Sequence, residues 1–381
     1  PPRPPAVRAR PTARQWGTTY TAAMLKSGEI AGLRMQNQYL WGPPLKGPES
    51  VVRWLVAMQA QEFAVAKWSV GQRTSGVTNA DIDRAFAEGA ILRTHVLRPT
   101  WHFVLLADIR WLLRLSASRI KAQLAYYDRK LELDKRLLTK STALLGRAVE
   151  GRHLTREELA GRLARAGIAA SGQRLAHIVM HAELDAVLCS GPLKGKRHTY
   201  ASFDERVPRG RTLERDEALA ELTRRYFTAR GPATLKDYLR WSSLTAAEGR
   251  SGLEMVKSKL EHETIDRRTY WFAASSRPKV RPSGAIDFVQ GYDECIISYG
   301  ESKDVLLGSL AKNGIPRLEI GFTHAILLDG RLIGHWRPVL ERKSIRVDTY
   351  LYRPLGRADA KALDAAADRY GRFMGLSAAL R

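Results

Sequence analysis

Residues 155–168, TREELAGRLARAGI, with 171–188, SGQRLAHIVMHAELDAVL, and 189–203, CSGPLKGKRHTYASF, decide the fold class. Thr155 and Glu158 form the capping-box pattern, in which each side chain satisfies a backbone N–H left open at a helix start, and Gly167 supplies a stop. In the second segment Leu175, Ile178, Val179, Ala182 and Leu184 recur at helical spacing and make one apolar face. The third reads as a β-ribbon with Lys194, Lys196, Arg197 and His198 near its tip. Helix, turn, second helix and basic ribbon is the order of a winged helix.

The same order recurs on either side. Residues 231–244 and 245–260 read as two helices, the second opened by Thr245 with Glu248, and 261–274 as a pair of short strands. Upstream, 50–62 (SVVRWLVAMQAQE) reads as a helix, 67–76 as a loop beginning at Lys67, 78–89 as a helix, and 90–106 as a hairpin turning at Arg98-Pro99-Thr100. From about Ile286 the pattern changes to strands over 287–299, 317–343 and 344–354, with Asp329-Gly330 as a type I′ turn. An Ala-rich amphipathic helix over 357–376 is expected to cover them. The first 15 residues hold five prolines among Arg and Ala and read as a disordered basic arm. The expected organisation is an arm over 1–15, winged helices over 16–125, 126–210 and 211–280, and a β-rich unit over 281–381. The fold class is α+β, with tandem winged helices and a barrel-like C-terminal β-domain.

Composition bounds the partners. The 381 residues hold 62 Lys and Arg against 39 Asp and Glu, a formal charge of +23, which points to a polyanion. Mean hydropathy is −0.30 and no run of about 18 apolar residues occurs, so no membrane segment is expected. The opening residues lack the apolar core of a secretory signal, which predicts a cytoplasmic, nucleoid-associated protein. Cys189 and Cys295 are too few for a disulfide framework and lack zinc-ligand spacing; both read as small buried apolar residues. No phosphate-loop glycine pattern and no nucleophile elbow is present, so nucleotide and serine hydrolysis are unsupported. No metal, cofactor or obligate protein partner is expected.

The remaining motif is Met58-Gln59-Ala60-Gln61-Glu62. On a helix, residues two apart point roughly 200° from one another. Both glutamines would face one cavity only where the helix opens into a turn before Phe63, and otherwise they read as surface or capping residues. Taken with Leu97-Arg98-Pro99-Thr100-Trp101-His102, Gly291-Tyr292-Asp293-Glu294 and Leu328-Asp329-Gly330-Arg331-Leu332-Ile333-Gly334, the motif resembles the winged-helix DNA glycosylases AlkZ and YcaQ, in their Gln-x-Gln subgroup. Pro99 stands where that family has glycine.

The resemblance implies a monofunctional glycosylase that hydrolyses the N-glycosidic bond of N7- or N3-alkylated purines in duplex DNA, bulky adducts and interstrand crosslinks included. It would serve base excision repair and self-resistance to a genotoxin. Gln59 and Gln61 become the catalytic candidates: alkylation makes the base a cationic leaving group, so amide carbonyls suffice to aim water at the sugar. His102 and Asp293 are site-adjacent candidates. Asp293 and Glu294, read as neighbouring strand residues, would point to opposite faces, so at most one serves the site. Arg98, Lys67, Lys194, Lys196, Arg197 and Arg337 are expected to contact DNA, Arg98 through phosphate at an exposed turn tip. A non-enzymatic winged-helix transcription regulator is the alternative reading.

Overall fold

The computed structural model describes residues 27–210, 212–274, 284–314 and 323–381. The basic arm expected over 1–15 lies outside them. The chain opens with α1 (Ser27–Asn37) and α2 (Pro48–Leu55), followed by β1 (Ala57–Gln59), α3 (Phe63–Gly71), α4 (Asn79–Glu88), β2 (Ile91–His95) and β3 (Trp101–Leu105). β3 lies between β1 and β2, antiparallel to both. The hairpin of 90–106 is as expected, whereas two neighbouring elements are corrected. The helix expected over 50–62 stops at Leu55, because Val56 takes φ 65° and ψ −59° and the next three residues pair with β3. The first half of the loop expected over 67–76 is helix, since α3 runs to Gly71.

Next come α5 (Leu106–Lys130), α6 (Lys135–Val149), β4 (Leu154–Thr155), α7 (Arg156–Arg165), α8 (Gly172–Leu184), β5 (Leu188–Ser190), β6 (Thr199–Ser202) and α9 (Phe203–Arg206). Thr155 and Glu158 make both capping-box bonds. Helix α8 is buried on two sides. Leu175, Ile178 and Val179 fill one core, while His177 and His181 both reach Asp128 of α5, at 2.7 and 2.9 Å. The turn Lys194–Arg197, by contrast, is exposed at each residue.

A helix the sequence pattern does not announce, α10 (Arg215–Arg230), precedes α11 (Leu235–Ser242), α12 (Ala246–Val256) and the antiparallel pair β7 (Leu260–Ile265) and β8 (Arg268–Ala273). The remaining elements are β9 (Ile286–Val289), α13 (Glu294–Ile297), α14 (Asp304–Leu307), α15 (Leu310–Asn313), β10 (His324–Leu328), β11 (Arg331–Leu340), β12 (Ser344–Leu351), α16 (Arg357–Met374) and β13 (Ser377–Leu380). Asp329 and Gly330 turn the β10–β11 hairpin with φ of 50° and 73°. The five strands form one sheet in the order β13-β12-β11-β10-β9, covered by α16. The strand expected over 287–299 ends at Val289 and gives way to α13.

The architecture is α+β, and the three-stranded sheet β1–β3 sits between two cores. Ala57, Leu92 and Val104 face a core with α5, α10 and α11, including Leu112, Tyr226 and Trp241. Met58, Ile91 and Phe103 face a second core built with the C-terminal sheet and α16, including Phe288, Trp336 and Phe373. Alternate strand residues therefore serve opposite cores, as a period of two requires. Among the described residues no helix is long and apolar enough to cross a membrane.

Candidate active site

The first glutamine of the motif ends a strand and the second lies in a bend just beyond it. Ala57, Met58 and Gln59 pair with Val104, Phe103 and His102, and Ala60 N–H continues the ladder to the Trp101 carbonyl at 2.7 Å. The two glutamines therefore do not sit on one helix, which removes the obstacle a helix would have raised. Their surroundings differ. Gln59 is 7% exposed, whereas Gln61 is open to solvent. The Gln59 Oε1 accepts from Arg98 Nη2 at 3.0 Å, and the Gln61 Oε1 takes a long contact from Trp101 N–H at 3.4 Å.

Arg98 is corrected from a phosphate contact to an inward-facing side chain. Leu97, at φ 62°, turns the chain so that the guanidinium enters the protein, donating to the Trp241 carbonyl, Gln59 Oε1 and, at 2.9 Å, His102 Nε2. Burial lowers its pKa to about 10, which leaves it cationic at neutral pH. His102, fully buried, cannot reach a lesion directly. Its Nδ1 lies 2.8 Å from the Thr100 carbonyl, an acceptor only, so Nδ1 carries the proton and Nε2 accepts from Arg98. Burial first, then the Arg98 charge, hold it well below the ordinary histidine range and therefore neutral.

A buried ion pair supports this layer from below. Arg230 Nη2 donates to the Leu55 and Ala57 carbonyls, each at 2.9 Å, bridging the Val56 turn, and to Glu294 Oε2 at 2.7 Å. Glu294 Oε1 accepts from Gln59 N–H at 2.9 Å, while Oε2 also receives Trp241 Nε1 and Ser298 Oγ. Asp293 caps α13 and is held by Arg73 at 2.7 and 2.9 Å. Burial would raise its pKa, but the Arg73 charge and hydrogen bonds pull it below the ordinary carboxylate range. The neighbours thus diverge as ends of a helix cap, each against its own arginine, and Glu294 is the one beneath the motif.

Of the acidic pair, sequence reasoning named Asp293 rather than Glu294 as site-adjacent, and it missed Arg230 and Arg93. The last donates to the Ala60 and Gln61 carbonyls at 2.9 and 3.2 Å and lies 4.3 Å from the Trp101 ring centroid. The available signal was the acidic pair Asp293-Glu294 amid apolar residues, because buried carboxylates require cationic partners. Lys67 is corrected as well: it lies on α3, 6% exposed, with Nζ 2.8 Å from Asp83. Lys194, Lys196 and Arg197 stand on the exposed turn, Lys194 reaching Glu158 at 3.0 Å. Arg337 lies on β11 and pairs with Asp348 at 3.0 Å. Among the described residues no group of three or more His, Cys, Asp or Glu could hold a metal ion.

Three comparisons bear on this arrangement. A family model described as DNA glycosylase AlkZ-like matches residues 52–373. A relative from Streptomyces sahachiroi named interstrand DNA cross-link repair glycosylase is 24% identical over 366 residues, covering 92% of this chain and 96% of the relative. The solved structure of Streptomyces sahachiroi DNA glycosylase AlkZ matches with a TM-score of 0.77 at 21% identity, covering 94% of this chain and 100% of that one. At that identity the structural likeness is one of fold.

Proposed function

This chain belongs to the AlkZ-like family of DNA glycosylases, whose model spans residues 52–373, and from that premise we propose that it excises alkylated purines from duplex DNA through Gln59 and Gln61. The observation that carries the reading is the pair of amides at the end of β1, with Gln59 bound to the buried Arg98 and Glu294 layer and Gln61 exposed in the bend just beyond it, each Oε1 facing the Arg98–Trp101 segment. The two buried carboxylates of α13 are committed: Glu294 to Arg230 and Asp293 to Arg73. His102 is neutral and enclosed. Uncharged amides are what the site offers, and they suit a leaving group that already carries positive charge.

In the reaction, water oxygen bonds to the sugar C1′ as the glycosidic bond breaks. The bonding pair leaves with the purine and neutralises it, and the water proton passes to solvent. Among the described residues no lysine is bonded to the glutamines, and Lys67 is held by Asp83, in keeping with hydrolysis rather than Schiff-base chemistry. The family membership removes the basis for the transcription-regulator alternative.

The grip on DNA follows from winged-helix units whose wings contact phosphate. His198, at the base of the Lys194–Arg197 turn, packs 4.7 Å from the Phe63 ring, two residues beyond Gln61, so this wing lies beside the motif. Lys196 and Arg197 would meet phosphates flanking the lesion, with Lys194 and Arg337 contributing through partly neutralised charges. Because Gln61 is exposed, a bulky or cross-linked base could reach it without complete extrusion from the helix, and the cross-link repair relative supports that substrate class. The proposed setting is base excision repair in the cytoplasm, at the nucleoid, with resistance to an alkylating natural product.

The test is base release from duplex DNA carrying N7-methylguanine. Failure of the wild type to release it, or undiminished release by Gln59→Ala with Gln61→Ala, defeats the proposal. Failure to unhook a cross-linked duplex defeats the cross-link part alone.

A further inference from the structure

Gln59 and Gln61 are chemically alike, yet the hydrogen-bond directions around Gln59 can be fixed one by one. The Thr100 carbonyl can only accept, so His102 Nδ1 donates and its Nε2 accepts. A guanidinium can only donate, so Arg98 Nη2 gives to that Nε2 and to Gln59 Oε1. Nη1 is anchored on the Trp241 carbonyl, which keeps the guanidinium from following a different amide rotamer. The oxygen of Gln59 must therefore face Arg98. Its Nε2 has no protein partner among the described residues, in a residue only 7% exposed.

We propose that Arg98 is a positioning residue that locks Gln59 as a hydrogen-bond donor toward DNA, leaving the carbonyl of Gln61 as the acceptor that aims the water. This inference rests on the glycosylase reading and divides the labour within it. The second lone pair of Gln59 Oε1 does not restore the role of water acceptor, for two reasons. That oxygen lies against a cation, which weakens it as an acceptor. A cation beside the sugar would also oppose the positive charge that grows on C1′. The donor Nε2 suits a different atom class, an oxygen or nitrogen acceptor of the target nucleotide such as a phosphate oxygen. The exposed Gln61 Oε1 has only the long Trp101 contact to give up.

The experiment is single-turnover release of N7-methylguanine with saturating enzyme, comparing Gln59→Glu, Gln61→Glu, Arg98→Ala and Arg98→Lys. Gln59→Glu keeps two acceptors for Arg98 but has no N–H to donate, so its rate should fall on the order of 100-fold. Gln61→Glu retains an acceptor and should fall less. Arg98→Ala should lose a comparable factor and recover part of it when guanidinium is added at concentrations that leave the melting temperature unchanged. Arg98→Lys, with one compact donor group, should fall between. Wild-type rates in Gln59→Glu or Arg98→Ala, a larger loss in Gln61→Glu than in Gln59→Glu, or a loss in Arg98→Ala that guanidinium does not touch would each overturn the inference. Inactive wild-type enzyme would instead defeat the glycosylase reading, and an unfolded Arg98→Ala leaves the two glutamate variants to decide.

Discussion

Two sheets of this molecule turn corners with positive φ and do so by opposite means. In the C-terminal sheet the β10–β11 hairpin uses Asp329 and Gly330, residue types that tolerate the left-handed region, and the Asp329 carboxylate accepts Ala285 N–H at 3.1 Å. In the glutamine-bearing sheet the corresponding residues are Val56, at 65°, and Leu97, at 62°, both apolar and wholly buried. A 2.6 Å bond from Arg98 N–H to the Val96 carbonyl closes a three-residue turn around Leu97. Such conformations cost about 1–3 kcal/mol each and persist only where the surroundings impose them. Here Arg230 grips the carbonyls on both sides of Val56, and Ser116 Oγ accepts Leu97 N–H at 3.1 Å. One sheet is shaped by its own residues. The other is shaped by distant ones, and its two strained residues are those that present Gln59 and Arg98.

The sharpest way to break this contrast is Arg230→Ala. It leaves Glu294 uncompensated in the interior and frees two carbonyls at the Val56 turn, for an expected loss of about 3–5 kcal/mol by urea unfolding. Native-state hydrogen exchange should rise in β1 well before it rises in β10 and β11. Equal protection of both sheets would show that the strained corner does not depend on the ion pair.

Acid probes both sheets through His102 and His324, whose neutral forms are favoured by burial; His102 lies well below the ordinary range and His324 at about 4. The folded pKa values are depressed, so as pH falls below ~6.5 the unfolded chain binds protons first and stability is lost, whereas above ~6.5 it is fully present. The slope should approach ~1.4 kcal/mol per pH unit for each histidine. The His324 share should be exhausted near pH 4. Urea midpoints from neutral pH downward should flatten in His102→Gln and in His324→Gln. Parallel curves for wild type and both variants would refute the assignment.

The same contrast explains what the sequence made legible. Capping boxes at Thr155 and Thr245, the apolar face of α8 and the Asp329-Gly330 turn are local signals, and each stands where the pattern put it. The Gln-x-Gln triplet was legible as a motif but not in its conformation. Val51, Val52 and Leu55 set a helical rhythm that nothing local interrupts, since a valine at φ 65° is no stop signal. The strand after it depends on pairing with β3 some forty residues on. Arg98 was misread for a related reason: a turn-tip arginine is ordinarily solvated, and only the Leu97 turn sends it inward. Glu294 and Arg230 meet across a sequence separation of 64, beyond any periodic pattern.

A milder perturbation belongs to the locally encoded sheet. At Gly330, φ 73°, an added Cβ would lie 3.0 Å from Met35 Cγ, so Gly330→Ala combines a left-handed alanine with a tight contact to α1. The expected cost is about 1–2 kcal/mol by urea unfolding, with single-turnover base release unaltered. A change in base release would mean that the two sheets are coupled more closely than their separate corners imply.

The smallest effects should lie at the surface, where the two regions carry their basic residues differently. Lys196 and Arg197 project from an exposed turn beside the glutamine strand, whereas Arg337 on β11 is drawn to Asp348. Each phosphate neutralised by a free cation contributes about −0.9 to the slope of log affinity against log salt, because a counterion is released from the duplex. Removing Lys196 and Arg197 together should therefore make the slope about 2 shallower, while Arg337→Ala should change it by clearly less than 1, since Asp348 already supplies a counter-charge. Fluorescence anisotropy of a lesion-bearing duplex across a salt series measures both. If Arg337 proved the stronger contributor, the principal DNA contact would lie on the C-terminal sheet, and the basic turn beside Gln61 would have to be read as support for Phe63.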